Sequence, residues 1–181
     1  MISLRSTITK KILNYFFINP HESLYVNELS RKLDLDKRNL VKKIRELERE
    51  GILTHQARGN LKLYEVNRRY PMYQEYRKII MTTVGAESRL RDLLAEVGGV
   101  KEAYIYGSYA KNTMGAHSDI DVLVVGKVSA IALQRRLCRL QSDLDREISA
   151  TIMGEDEFRR KLKAGDPFLI GILAQKHIKV A

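Results

Sequence analysis

Residues 106–126 read YGSYAKNTMGAHSDIDVLVVG, and the two halves of that run make different chemical demands. The second half is an aliphatic strand opened by Asp119 and Asp121 with a single isoleucine between them. Carboxylates are poor strand formers, and side chains two apart share a face, so the two charges repel unless something positive lies between them. The first half places Gly107-Ser108 at the end of an apolar run, where a short helix or loop begins. Glycine admits a phosphate close to the backbone, and the serine hydroxyl and the amides of a starting helix can donate to it. Two hard carboxylates can hold Mg²⁺ (or Mn²⁺), which favours oxygen ligands and substrate phosphates. A phosphate cradle beside a metal-binding pair is apparatus for phosphoryl or nucleotidyl transfer.

Outward from this run, strands alternate with helices from residue 99 onward. Val100–Tyr106, Asp119–Val125 and Arg146–Met153 read as strands. Ser129–Gln141 reads as a helix with Ile131, Leu133, Leu137 and Leu140 inward, and residues 155–163 and 167–174 as two more. Gly165-Asp166-Pro167 suits a helix stop and restart, with Asp166 as the cap.

Gly-Ser, ten residues, Asp, one residue, Asp resembles the nucleotidyltransferase signature of the DNA polymerase beta superfamily. SDIDVLVVG is similar to the form found in its minimal members, among them bacterial antitoxins and relatives of kanamycin nucleotidyltransferase. The resemblance covers residues 86–181 and implies a small mixed sheet flanked by helices. It implies that Gly107 and Ser108 bind a nucleoside triphosphate and that Asp119 and Asp121 are catalytic metal ligands. Many relatives have Arg-Gly where this chain has Lys111-Asn112. Lys111 keeps the charge without the bidentate fork and is assigned to the nucleotide, the alternative being a solvated helix residue. Active members also carry a third carboxylate on a neighbouring strand. Glu147, the acidic residue within REISATIM, shares a face with Ser149 and Thr151 and is the catalytic candidate; the alternative is a solvent-facing strand start. Asp143 and Asp145 fall in the preceding helix end or turn, and His117 reads as a solvated loop residue.

The first 70 residues carry a different pattern. Ser6–Phe17 has Ile8, Ile12, Leu13 and Phe16 at helical spacing, and Val26–Leu33 is a short helix with Asn27 as its expected cap. Asp36 can cap a longer helix with the stripe Leu40, Val41, Ile44 and Leu47, ended by Gly51. Residues 52–56 and 61–67 read as two strands around the turn Ala57-Arg58-Gly59-Asn60. ELSRKLDLDKRNLVKKIRELEREGIL resembles the winged helix-turn-helix family over residues 5–68. That resemblance implies a third helix presenting Lys37, Arg38, Asn39, Lys42 and Lys43 to double-stranded DNA, with Arg58 and Lys62 of the hairpin reaching phosphate. Protein interaction is the alternative use of such a module.

Residues 71–98 read as two connecting helices, one with Met72, Tyr76, Ile79 and Ile80 inward and one with Leu90, Leu93, Leu94 and Val97. The net charge of +10 is uneven, since residues 1–70 hold 15 Lys/Arg against 8 Asp/Glu, and such an excess suits a polyanion partner for that part. No run approaches a membrane span and the N-terminus lacks a signal core, so a cytoplasmic protein with no membrane partner is expected. The single cysteine, Cys138, excludes an internal disulfide and is expected to be a small buried thiol.

The expected architecture is therefore α/β (α+β): a winged helix over 1–70, connecting helices over 71–98 and a minimal nucleotidyltransferase domain over 99–181. The expected function is a DNA-binding regulator that transfers a nucleoside monophosphate, AMP from MgATP, to a hydroxyl on a protein or small molecule. A homodimer is expected from the half-site habit of winged helices. The alternatives are a catalytically silent regulator using the domain for nucleotide sensing or dimerisation, and an antitoxin-like nucleotidyltransferase.

Overall fold

The computed structural model describes residues 5–115 and 117–181, which divide into two compact units, residues 1–86 and 87–181. The chain is a mixed α/β protein with two small sheets.

In the first unit, α1 (Thr7–Ile18) starts after Ser6, whose side chain accepts from the Thr9 amide. Two extended residues, β1 (Leu24–Tyr25), precede α2 (Val26–Leu33). The cap of α2 is Tyr25 and not Asn27, because Tyr25 is the last residue held extended by pairing and the Glu28 carboxylate accepts from its N–H at 2.9 Å. Asp36 caps α3 (Lys37–Arg49) as expected, accepting from the Asn39 amide at 3.0 Å. Leu40, Ile44 and Leu47 are buried, and Val41 is only half-buried at the edge of the stripe.

The hairpin is β2 (Leu53–Arg58) and β3 (Leu61–Val66), antiparallel, with Arg58 opposite Leu61. Its turn is therefore the two residues Gly59-Asn60, tighter than the four-residue turn expected. Gly59 supplies the φ of +60° that such a turn needs. The sheet order β1-β3-β2 adds a strand that two residues of sequence could not announce.

The helix α4 (Tyr73–Thr83) buries Tyr73, Ile80 and Met81. Met72 and Ile79, expected inward, are about half exposed, 50% and 46%. The helix starts one residue later than the pattern implied. Tyr73 takes the inward position, with its ring 5.4 Å from that of Phe17.

All of α5 (Ala86–Val97) but its first residue lies in the second unit, followed by β4 (Val100–Tyr106), α6 (Gly107–Lys111) and β5 (Ile120–Gly126). A helix α7 (Ala130–Leu144) crosses over to β6 (Ile148–Met153), followed by α8 (Glu155–Lys163), α9 (Pro167–Leu173) and β7 (Ile178–Lys179). The sheet order is β6-β5-β4-β7, with β5 parallel to β6 and antiparallel to β4. One face is sealed by Tyr104, Leu123, Val125 and Met153 against Phe158, Leu169 and Ile172 of α8 and α9. The strand β7 pairs with β4 and was not expected.

On α7 the buried stripe is Leu133, Leu137, Leu140 and Leu144. Ile131, expected inward, is 75% exposed, because two residues before Leu133 lies about 200° around a helix. Cys138, expected buried, is exposed for the same reason, one residue out of the stripe. Asp166 caps α9 as read, accepting from the Phe168 and Leu169 amides at 3.0 and 3.1 Å.

Candidate nucleotide site

The site forms where β4 ends and β5 begins. Tyr106 and Asp121 are register partners, so the residue after Tyr106 is brought beside the carboxylate two places into the next strand. That residue is Gly107, with φ +69°, a backbone conformation costly for any residue carrying a Cβ. A Cβ there would overlap Asp121 Oδ2 and approach its Cγ to 3.3 Å. The glycine turn and the carboxylate are in direct apposition, which answers why Gly-Ser and Asp-x-Asp occur together.

Asp121 alternates onto the face of Leu123 and Val125, at the open end of the apolar layer under α8 and α9. Burial, and then the charge of Asp119, push its carboxyl above the usual carboxylate range. Both causes act against the charged form of the carboxyl. Asp119 lies immediately before β5, half-buried. Two hard oxygen donors two residues apart at one strand start fit a magnesium-type ion, which takes one or two carboxylates and completes its shell with waters and phosphate oxygens. Asp119 and Asp121 would hold it.

The loop into Asp119 is pinned by Arg146, a buried residue whose Nη1 donates to the carbonyls of Gly115 and Ser118, both at 3.3 Å. Ser118 Oγ in turn accepts from the Gly115 amide at 2.8 Å. Sequence reading passed over Arg146, since an arginine at a strand start looks like any solvated charge.

Glu147 precedes β6 instead of lying within it, and its carbonyl accepts from the Ile120 N–H at 2.9 Å. Its side chain lines a concavity of about 360 Å³ with His117, Ser118, Asp119, Asp145 and Arg146. The residue level with Asp121 on β6 is Ser149. Among the described residues no three of His, Cys, Asp and Glu group as a metal cluster. Ser108 is half-buried in α6, and Lys111 is exposed at its last residue. Gly107 also lines a cleft of about 250 Å³ between Tyr106 and α9.

In the first unit, Lys37, Arg38, Asn39 and Lys42 are exposed on α3, while Lys43 is paired with Glu46 at 2.6 Å. Arg58 and Lys62 are exposed in the hairpin. A groove of about 820 Å³ along α3 is lined by Lys37, Arg38, Lys42, Arg45 and Arg49 with Asp36, Val41 and Glu46. Arg45 and Arg49 were not among the expected contacts, although their helical spacing from Arg38 and Lys42 places them on that face.

Residues 87–180 match the family described as nucleotidyltransferase domain. The chain belongs to that family. No curated protein matches it. Among solved structures, the nucleotidyltransferase chain is similar to a toxin–antitoxin crystallised with AMP-PNP, at 21% identity and TM-score 0.40, over 52% of this chain and 72% of that one. A tri-AMPylated Shewanella oneidensis HEPN toxin in complex with its MNT antitoxin matches at 19% identity and TM-score 0.35, over 52% and 68%. MepR, a transcription regulator of the Staphylococcus aureus multidrug efflux pump MepA, matches at 13% identity and TM-score 0.38, over 51% and 66%. None of the described helices is long and apolar enough to cross a membrane.

Proposed function

We infer that the nucleotidyltransferase domain moves a nucleoside monophosphate, AMP from MgATP, onto a hydroxyl acceptor, and that the first unit is a winged helix that binds double-stranded DNA. The apposition of Gly107 and the Asp121 carboxylate carries this reading. It puts a backbone surface with no side chain, and Ser108 after it, beside a pair of oxygens suited to a cation. A triphosphate with its divalent ion satisfies both.

In the transfer, the acceptor oxygen bonds to the α-phosphorus and the bond from that phosphorus to the pyrophosphate oxygen breaks. The hydroxyl proton passes to a base, and Glu147, in the same concavity as Asp119, is the residue assigned to it. A cation held by Asp119 and Asp121 supplies charge neutralisation at the phosphates. Arg146 keeps the loop carrying Asp119 in place. Lys37, Arg38, Asn39, Lys42, Arg58 and Lys62 are assigned to DNA, phosphate contacts positioning the helix.

A second reading is favoured by one observation: Ser149, not a carboxylate, stands level with Asp121 on β6. On that reading the domain binds the nucleotide without turnover and reports it to the DNA-binding unit. Incubation of the protein with α-labelled ATP, Mg²⁺ and cell extract separates the two. Label on an acceptor above an Asp119→Ala/Asp121→Ala control supports transfer; nucleotide binding without label supports sensing.

A further inference from the structure

We propose that the cleft between the end of β4 and α9 is the subsite for the nucleobase, a reading that rests on nucleotide binding at Gly107 and Asp121. The cleft is lined by Tyr106, Gly107, Phe168, Gly171, Gln175 and Lys176. Gly107 belongs to the cleft and also abuts the Asp121 carboxylate, so the cleft begins where the cation site ends. Its volume of about 250 Å³ is below the roughly 300–1,000 Å³ of a whole-ligand pocket, and suits one planar group of a larger ligand.

The walls have the chemistry a base requires. Tyr106 and Phe168 stand edge to face, with centroids 5.9 Å apart and planes at 88°. Phe168 is 42% exposed, an apolar ring in water at the mouth of a cleft, which stacking would cover. Thr151 hydrogen-bonds the Tyr106 side chain. The ring is therefore a tethered wall. Gly171 lies mid-helix, and a Cβ there meets no atom within 4 Å, which leaves room at the cleft. Gln175 offers both a donor and an acceptor for the base edge, and the Lys176 ammonium suits the ribose–phosphate side.

The concavity lined by Asp119, Asp145 and Glu147, with His117, Ser118 and Arg146, holds more acidic than basic side chains. It suits the acceptor and its proton, not a base. The base is thereby assigned to the cleft at Gly107 and the acceptor to the concavity at Asp119 and Glu147.

Calorimetric titration with Mg²⁺ and either a non-hydrolysable ATP analogue or inorganic tripolyphosphate tests this. The wild type should bind the nucleotide about tenfold or more tighter than tripolyphosphate, the size expected of one stacked base. Gly171→Leu, which fills the cleft, and Phe168→Ala, which removes its rim, should each lose about tenfold for the nucleotide and nothing for tripolyphosphate. Gln175→Ala, an exposed change that leaves the helix core alone, should reproduce part of the loss if Gly171→Leu does not fold by circular dichroism. Unchanged nucleotide affinity in Phe168→Ala and Gln175→Ala, with binding still abolished in Asp119→Ala/Asp121→Ala, overturns the base subsite and leaves the transferase reading standing. Binding of neither probe by the wild type overturns both.

Discussion

Gly107 concentrates the fold's demands in one residue. Its φ of +69° costs an L-residue about 1–2 kcal/mol, and its missing Cβ is the space Asp121 occupies. Gly107→Ala is therefore expected to lower the melting temperature, by roughly 2–4 °C for each kcal/mol in a chain this long. It should also displace the Asp121 carboxylate and weaken MgATP binding by about tenfold or more. Calorimetry and thermal melts read the two effects separately, and normal binding in a destabilised protein would deny the apposition its functional meaning. The Gly-Ser and Asp-x-Asp pairs were legible in the sequence because their spacing is local. That Asp121 touches Gly107 was not, since the contact comes from antiparallel register between β4 and β5.

At the scale of elements, most boundaries followed from caps and stripes, as Asp36 and α3 or Asp166 and α9 show. Two of the failures share a cause. Ile131 and Met72 are apolar residues near helix starts, where residue type was read but phase was set by residues further along. The strands β1 and β7 have two residues each and exist only because β3 and β4 offer them an edge. The pairing of β7 with β4 is reinforced by Glu102, which accepts from the Tyr104 hydroxyl and, at 3.3 Å, from Lys179 Nζ. The Tyr104 hydrogen bond, and secondarily Lys179, hold the Glu102 carboxyl below its usual value near 4.5. A depressed folded-state pKa contributes stability that is present above that value and lost as pH falls through the folded one. Glu102→Gln should therefore lower the melting temperature at pH 7 by up to roughly 2–4 °C, the upper end of what an exposed pair contributes. Near pH 3 the difference should shrink, and an equal loss at both pH values would assign the effect to shape and not to charge.

At the scale of the whole molecule, charge is divided between the units. Residues 1–86 hold 17 Lys/Arg against 9 Asp/Glu, a net +8, and residues 87–181 hold 15 against 13, a net +2. The excess includes the α3 face, where Arg45 and Arg49 join Lys37, Arg38 and Lys42. Arg45→Ala/Arg49→Ala should weaken binding to any duplex and lower the slope of log affinity against log salt by about 2, measured by fluorescence anisotropy. An unchanged slope would remove both arginines from the DNA contact. The sequence by itself determined caps such as Asp36 and Asp166, the basic excess of the first third and the spacing of the Gly-Ser and Asp-x-Asp pairs. All of these depend on residue type and short spacing along one strand or helix. Only the tertiary structure decided that Ser149 faces Asp121, that Arg146 pins the loop into Asp119, and that Phe168 meets Tyr106 across a cleft. Those relations join residues tens of positions apart, and strand register and helix packing fix them, neither of which is written in any local pattern.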